Sequence, residues 1–119
     1  MFIMKEGSTI KNLFMIYAPD GIHIRGGKSS EIHGNEISNS STLINSIDSE
    51  NIEIYDNNFS NFGKAYISIN STSNLLTNNY NEGQVCLEFI DSIYTTANFD
   101  NFDCTEAFLY EKFNLNVNI

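Results

Sequence analysis

Residues 50–59, ENIEIYDNNF, contain one unit of a pattern that recurs along the chain. Ile52 and Ile54 alternate with polar residues, which predicts a short strand with one buried face, and the polar residues that follow are typical of a turn. Segments that combine an aliphatic residue, an asparagine and another apolar residue recur along the chain. They are residues 8–15 (STIKNLFM), 30–37 (SEIHGNEI), 73–80 (SNLLTNNY), 92–99 (SIYTTANF) and 113–119 (FNLNVNI). This internal similarity indicates a repeat architecture.

The period of the repeat is about 20 to 24 residues. One anchor position from each segment gives the series Asn12, Asn35, Asn57, Asn78, Ala97 and Asn116, with separations of 23, 22, 21, 19 and 19 residues. A second series of short apolar runs lies between the anchors, at residues 21–24, 42–44, 65–69, 85–89 and 107–110. Each period therefore contains at least two strands. Asparagine side chains stacked from coil to coil can hydrogen-bond along the axis, which gives the recurring residue a physical reason.

Strands without helical crossovers, repeated at this period, predict an all-β fold. We predict a right-handed parallel β-helix of about five coils in a single domain over residues 1–119. A leucine-rich repeat would need a leucine pattern that is absent here, and a β-sandwich would not predict an asparagine in every coil. The residues expected to point inward are Ile10, Ile22, Ile24, Ile32, Ile52, Ile54, Ile67, Ile69 and Leu87.

The charge and the distribution of apolar residues exclude two classes of partner. The 119 residues carry 6 Lys and Arg against 15 Asp and Glu, a net charge of -9. This sign opposes binding to a polyphosphate backbone, so we expect no nucleic acid partner. The sequence also lacks a run of 18 apolar residues, so we expect no membrane span.

Two stretches resemble the compact pectate lyases, which fold as a right-handed parallel β-helix. They are residues 7–27 (GSTIKNLFMIYAPDGIHIRGG) and residues 57–68 (NNFSNFGKAYIS). The resemblance implies an elimination that needs a carboxylate cluster to hold calcium and an unprotonated base to remove a proton. Asp20 matches the family's aspartate before Gly-Ile-His. Together with His23 it would form at most a weak cation site, because an aspartate before Gly21 is also an ordinary turn signal.

The other site positions of the family are not retained. Serines at 40–41 replace a Glu-Asp pair, the family's lysine falls near Asn45 or Ser46, and its arginine falls on Ile67. Serine cannot supply the negative charge that calcium requires. We therefore predict no enzyme activity, no catalytic residue, no metal site and no cofactor, with Asp20 as the remnant of a cation site.

The two cysteines have two possible states. Cys86 and Cys104 are 18 residues apart, which is close to one coil. They would then face each other on adjacent turns and could form a disulfide, but two reduced thiols are an equal alternative.

The outer face of the strands offers a second possible role. A row of Asp, Asn, Tyr and Ser side chains could bind a carbohydrate through hydrogen bonds and ring stacking, although most aromatic residues of a small solenoid are needed in its core. The candidate tyrosines are Tyr55, Tyr66, Tyr94 and Tyr110.

Both ends of the sequence have the character of strands rather than of polar or helical caps. The assembly ends that we predict are Met1, Phe2, Ile3 and Met4 at the start and Leu115, Val117 and Ile119 at the finish. Residues 1–28 contain four basic and two acidic residues, whereas residues 82–119 contain one basic and seven acidic residues. A head-to-tail contact would join these opposite charges, and such a contact that does not close produces a filament.

These features predict a non-catalytic structural subunit that self-assembles end to end into an extracellular or cell-surface filament. No signal peptide is visible in this chain, since Lys5 and Glu6 interrupt the stretch that would have to be apolar. The alternative function is a pectate-lyase-like carbohydrate-binding module or a polysaccharide lyase, with a carbohydrate as the partner.

Overall fold

Parallel strands stacked coil upon coil build the fold. A computed structural model describes residues 2–4, 7–15, 20–91, 93–98, 101–111 and 114–118, with the surroundings of side chains for 7–15, 21–88, 90–91 and 103–105. The described residues form thirteen strands and no helix. The strands are β1 (Phe2–Met4), β2 (Thr9–Lys11), β3 (Phe14–Met15), β4 (Asp20–Arg25), β5 (Glu31–His33), β6 (Glu36–Ile47), β7 (Glu53–Tyr55), β8 (Asn58–Ile69), β9 (Leu75–Thr77), β10 (Tyr80–Ile90), β11 (Ile93–Asn98), β12 (Asn101–Glu111) and β13 (Asn114–Asn118).

The strands belong to two sheets. The first has the order β1, β4, β6, β8, β10, β12, with β3 also beside β6, and the second has the order β2, β5, β7, β9, β11, β13. Every described pair is parallel, and successive coils pair mostly at a separation of 22 residues. The prediction of an all-β parallel solenoid is therefore confirmed, and the stack is close to the five coils expected.

Two apolar columns run through the interior, one from each sheet. Their members lie in register from coil to coil and are at most 4% exposed. The first column is Ile22, Ile44, Tyr66 and Leu87, and the second is Ile32, Ile54 and Leu76. Because successive strand residues point to opposite faces, each column presents one side chain per coil to the core. Full burial of such a side chain contributes roughly 1.5–3 kcal/mol to folding.

Most of the residues expected to point inward do so, but two do not. Ile22, Ile24, Ile32, Ile52, Ile54 and Leu87 are buried in the core, and Ile10 packs against it while partly buried. The prediction was wrong for Ile67 and Ile69, which are only partly buried, because Tyr66 and Ser68 take the inner positions. The register explains the exchange, since Tyr66 pairs with Ile44 of the preceding coil and Ser68 with Ser46.

A buried asparagine ladder is present, with a different membership from the anchor series. Asn35, Asn57 and Asn79 lie 22 residues apart and are at most 3% exposed. Asn35 donates its Nδ2 hydrogen to Oδ1 of Asn57 at 3.0 Å, and Asn57 donates in the same way to Asn79 at 2.9 Å. Asn12 and Asn78 were assigned wrongly, because both are exposed turn residues with positive φ. The side chains of Ala97 and Asn116 lie outside those described.

Left-handed backbone conformations form four columns, three between strands and one within strands β6 and β8. Glycine, asparagine, aspartate and serine occupy them, with φ between 49° and 67°. The columns are Gly7, Ser29, Asn51 and Ser73; Asn12, Gly34, Asp56 and Asn78; Asn39 and Asn61; and Gly26, Asp48, Asn70 and Asp91. Asparagine and aspartate tolerate this conformation better than other residues with a Cβ. The high asparagine content therefore serves both the turns and the buried ladder.

Candidate functional site

The positions that resemble the pectate lyase site do not form a cation site among the described side chains. Asp20 is the first residue of β4 and pairs with Thr42, but its side chain lies outside those described. Ser40 is 5% exposed, and Ile67 lies on the outer face. Among the residues that the structure describes, no group of three or more His, Cys, Asp or Glu side chains could hold a metal ion.

The glycine after Asp20 has a different role from the one that its sequence context indicates. Gly21 lies within strand β4, so the interpretation of Asp20 and Gly21 as a turn was wrong. A Cβ atom at position 21 would collide with the carbonyl oxygen of Leu43. The residue is therefore glycine because the adjacent coil approaches closely.

The assembly ends predicted from the sequence lie on edge strands. Phe2, Ile3 and Met4 form β1, whose described neighbour is β4, and β13 contains Leu115 and Val117 and pairs with β11. The remaining two predicted residues, Met1 and Ile119, lie outside the described part of the chain. An edge strand presents backbone N–H and C=O groups to any strand that approaches it.

The strand register continues both interior columns to the outermost strands of the two sheets, which are β1 and β12 in the first sheet and β2 and β13 in the second. Phe2 pairs with Ile22 at one end of the first column, and Leu87 pairs with Phe108 at the other end. In the second column, Ile10 pairs with Ile32, and Ala97 pairs with Val117. Both columns thus keep an apolar residue type at the register positions of the outermost strands.

The cysteines lie on adjacent coils. Cys86 of β10 and Cys104 of β12 are joined in a disulfide, with their Cα atoms 5.9 Å apart. Cys86 is fully buried in the core, and Cys104 packs against the core while partly buried. The covalent bond therefore fastens β12 to the coil below it.

The candidate tyrosines separate into different environments. Tyr66 is 1% exposed and belongs to the core, so it offers no surface to a ligand. Its hydroxyl lies near Ser46, Ser68 and Asn74, but burial dominates and raises the pKa of Tyr66 to about 12. The side chains of Tyr94 and Tyr110 lie outside those described. Tyr55 is the described candidate that remains at the surface.

Tyr55 forms a stacked pair with a histidine of the neighbouring coil. The rings of His33 and Tyr55 have centroids 4.6 Å apart and an interplanar angle of 2°. The Tyr55 hydroxyl donates a hydrogen bond to Oε2 of Glu31 at 3.4 Å. Desolvation raises the pKa of Tyr55, and the carboxylates of Glu31, Glu53 and Asp56 raise it further. The phenol therefore lies in a negative environment on the outer face of the second sheet.

Two adjacent surface cavities lie on this face, and Tyr55 lines one of them. One, of about 270 Å³, is lined by Glu53, Tyr55, Asp56, Leu75 and Thr77. The other, of about 420 Å³, lies on the same sheet and shares Glu53 and Leu75 as walls, with Glu31 among its other lining residues. The second sheet thus carries an acidic groove with one aromatic wall.

Reasoning from the sequence did not find the stacked pair, although a signal was present. His33 and Tyr55 are 22 residues apart, so they occupy the same position in neighbouring coils. The anchors Asn35 and Asn57 have the same separation, but the anchor series follows only asparagine and apolar positions, so the histidine with its aromatic neighbour was not recognised.

Comparison of the chain with protein-family models, with curated proteins and with solved structures finds no match. In the part of the chain that the structure describes, no helix has the length and apolar character needed to cross a membrane.

Proposed function

We propose that this protein is a non-catalytic structural subunit that stacks end to end on copies of itself and forms a filament. At each junction, β12 of one copy lies beside β1 of the next, and β13 lies beside β2. The parallel ladders of both sheets then continue from copy to copy.

The observation that supports this proposal is the apolar character of both interior columns at the edge strands. Stacking in register would place Phe108 beside Phe2 of the next copy and Val117 beside Ile10. Each junction would then continue the sequence of apolar positions that already fills the core. It would also supply hydrogen-bond partners to the edges of both sheets, which otherwise template uncontrolled association.

The distribution of charge along the chain supports the same head-to-tail arrangement. Four basic residues among residues 1–28 would approach the seven acidic residues among residues 82–119. Opposite charges accelerate encounter and disfavour the head-to-head arrangement. When one surface of a copy binds a different surface of the next copy and the assembly does not close into a ring, copies can be added indefinitely.

The disulfide supports a location outside the cell. Bonds such as that between Cys86 and Cys104 persist in oxidising compartments and are rare in a reducing cytosol. We therefore place the filament in an extracellular or cell-surface setting.

Assembly can be tested with a variant that blocks one edge. Val117→Lys puts a charge at an apolar register position of β13, so this edge should no longer accept another copy, because burying an unpaired charge is costly. Light scattering at high protein concentration and moderate salt should show polymer for the unmodified protein and monomers or short oligomers for the variant. A small proportion of the variant mixed with unmodified protein should shorten the filaments, because its β1 edge is intact.

Asn116→Lys is the matched control. Position 116 continues the outward column that includes Thr9, Glu31 and Glu53, and in the junction it would lie beside the uncharged Thr9, so a lysine there should leave polymerisation unchanged. Circular dichroism checks that both variants keep the strand content of the parent. An unmodified protein that stays monodisperse at 13.4 kDa across these conditions would reject the proposal.

A further inference from the structure

The outer face of the second sheet carries an aromatic ring with one covered face. His33 covers one side of Tyr55, and the ring separation of 4.6 Å is close to the usual spacing of neighbouring strands, about 4.8 Å. The two rings therefore stack along the direction in which the coils follow one another. The opposite face of Tyr55 points toward the next coil, where the residue in register is Thr77.

Space is present on that second face. Thr77 is too small to cover a phenol ring, and the cavity of about 270 Å³ lies between Tyr55, Leu75 and Thr77. Glu53 and Asp56 complete its walls and are exposed. Asp56 accepts a hydrogen bond from Asn78 at 2.7 Å through Oδ1, which holds this carboxylate in place beside the cavity.

The electrostatic character of the cavity is negative. Among the described residues, Lys28 pairs with Glu50 and Lys64 with Glu88, and neither ion pair includes a lining residue. Glu31 adds a third carboxylate, which accepts the hydrogen bond from the Tyr55 hydroxyl. The face of a tyrosine ring attracts cations through its quadrupole, and carboxylates beside it act in the same sense.

We propose that this cavity is a binding site for a cationic group, a guanidinium or an ammonium, which stacks on Tyr55 between the carboxylates of Glu53 and Asp56. An acidic sugar is repelled by the same carboxylates. The adjoining cavity, which shares the Glu53 wall and contains Glu31, extends the site for a ligand with two positive charges. The group belongs either to a free polyamine or amino acid or to a basic peptide segment.

The site can be tested by nuclear magnetic resonance titration of the full chain at low salt. The probes are arginine amide, spermidine and a diarginine amide, with N-acetylglutamine amide and a neutral disaccharide as uncharged comparisons. The three cations should shift the resonances of Tyr55, His33 and Thr77 in a saturable manner, and added salt should weaken the binding. Tighter binding of diarginine than of spermidine would identify a peptide as the source, and the reverse a polyamine.

Variants distinguish binding at this site from a general attraction of cations to the negatively charged protein. Tyr55→Leu and Glu53→Gln should each weaken the cation affinity about threefold, as expected for a surface cation–π contact or carboxylate. Glu82→Gln changes the same residue type on the first sheet, in a cavity that shares no residue with the proposed site, and should leave the affinity unchanged. The proposal is overturned if no cation gives saturable shifts, if Tyr55→Leu binds as tightly as the parent, or if the neutral disaccharide binds better than the cations.

Discussion

A single buried asparagine shows how individual residues specify this fold. Asn57 donates to the carbonyl of Ile32 at 3.0 Å and to Asn79, and its Oδ1 accepts from both the backbone and the side chain of Asn35. The sequence predicts that asparagine recurs once per coil. It does not distinguish Asn57 from its neighbour Asn58, because both fit a turn or a ladder. Only the register with the adjacent coils decides which of the two is buried.

Asn57→Ala should lower the free energy of unfolding by roughly 2–4 kcal/mol, because it leaves the Asn35 amide and the Ile32 carbonyl buried without their partner. Asn58→Ala is the matched control at an exposed neighbouring position and should change the stability by no more than about 0.5 kcal/mol. Urea unfolding at constant temperature measures both. Equal losses in the two variants would contradict the assignment of Asn57 to the ladder.

Tyr66 is the residue at which the hydrophobic pattern misleads. Ile67 and Ile69 are the apolar alternate residues at the end of this strand, so sequence reasoning points them inward. The structure buries Tyr66 and Ser68 instead and supplies polar neighbours for the tyrosine hydroxyl. Pairing with the preceding coil outweighs the local pattern here, because a shift by one residue would reverse every side chain of β8.

The buried phenol makes stability depend on alkaline pH. Burial raises the pKa of Tyr66 from 10.0 to about 12, so the unfolded chain ionises first. The protonated phenol therefore contributes roughly 2–3 kcal/mol to the free energy of unfolding. This contribution is complete below about pH 10 and is lost as the pH rises through about 12. The parent should lose more stability than Tyr66→Phe by this amount between about pH 9 and pH 12 in urea unfolding. An identical loss in both proteins would show that Tyr66 is exposed or already ionised.

The elements differ from the sequence prediction mainly in length. Residues 42–44 and 65–69 were expected to form separate short strands, but they are the second halves of β6 and β8, each 12 residues long. Asn39 and Asn61 bend these strands through positive φ without ending the pairing. Strand β10 changes register against β8 between Glu82 and Val85, so the column of Asn39 and Asn61 does not continue there. Local propensity predicts a bend at these asparagines but cannot show that hydrogen bonding continues through it.

The disulfide should matter most for the pairing of β10 with β12. Closing a loop of 18 residues stabilises a folded chain by about 3 kcal/mol, mainly by restricting the unfolded state. Cys86→Ala combined with Cys104→Ala should therefore lower the free energy of unfolding by about this amount. Hydrogen exchange should show that the amides of β12 lose protection before those of β6.

Reduction provides the control for this prediction. A reducing agent should lower the stability of the parent to the level of the double variant and leave the variant itself unchanged. If the oxidised and reduced parent unfold at the same urea concentration, the disulfide does not hold the last described coils.

At the scale of the whole molecule, sequence reasoning predicts the architecture better than the surface. The repeat alone leads to a parallel solenoid, because only stacking lets each coil bury its apolar residues. The His33–Tyr55 groove depends on which outward residues share a column, and that requires the register to within one residue. The two edges that we propose for assembly were expected from the strand-like character of the sequence, and the register adds which positions would meet in a junction.

Continuous stacking makes a quantitative prediction about filament geometry. Six strands follow one another along the path of each sheet in one copy. At a spacing of about 4.8 Å, each added copy should advance the filament by about 29 Å. Lateral association through the outer faces would give no such relation, because the advance would depend on the width of the molecule.

Helical reconstruction of the filaments by electron cryomicroscopy therefore tests the proposed end-to-end stacking. We expect an axial rise of about 29 Å per subunit, with a continuous ladder of strands about 4.8 Å apart that crosses each junction from β12 to β1 and from β13 to β2. A filament in which the ladder is interrupted between copies, or one in which the subunits meet through the outer faces of their sheets, would contradict it.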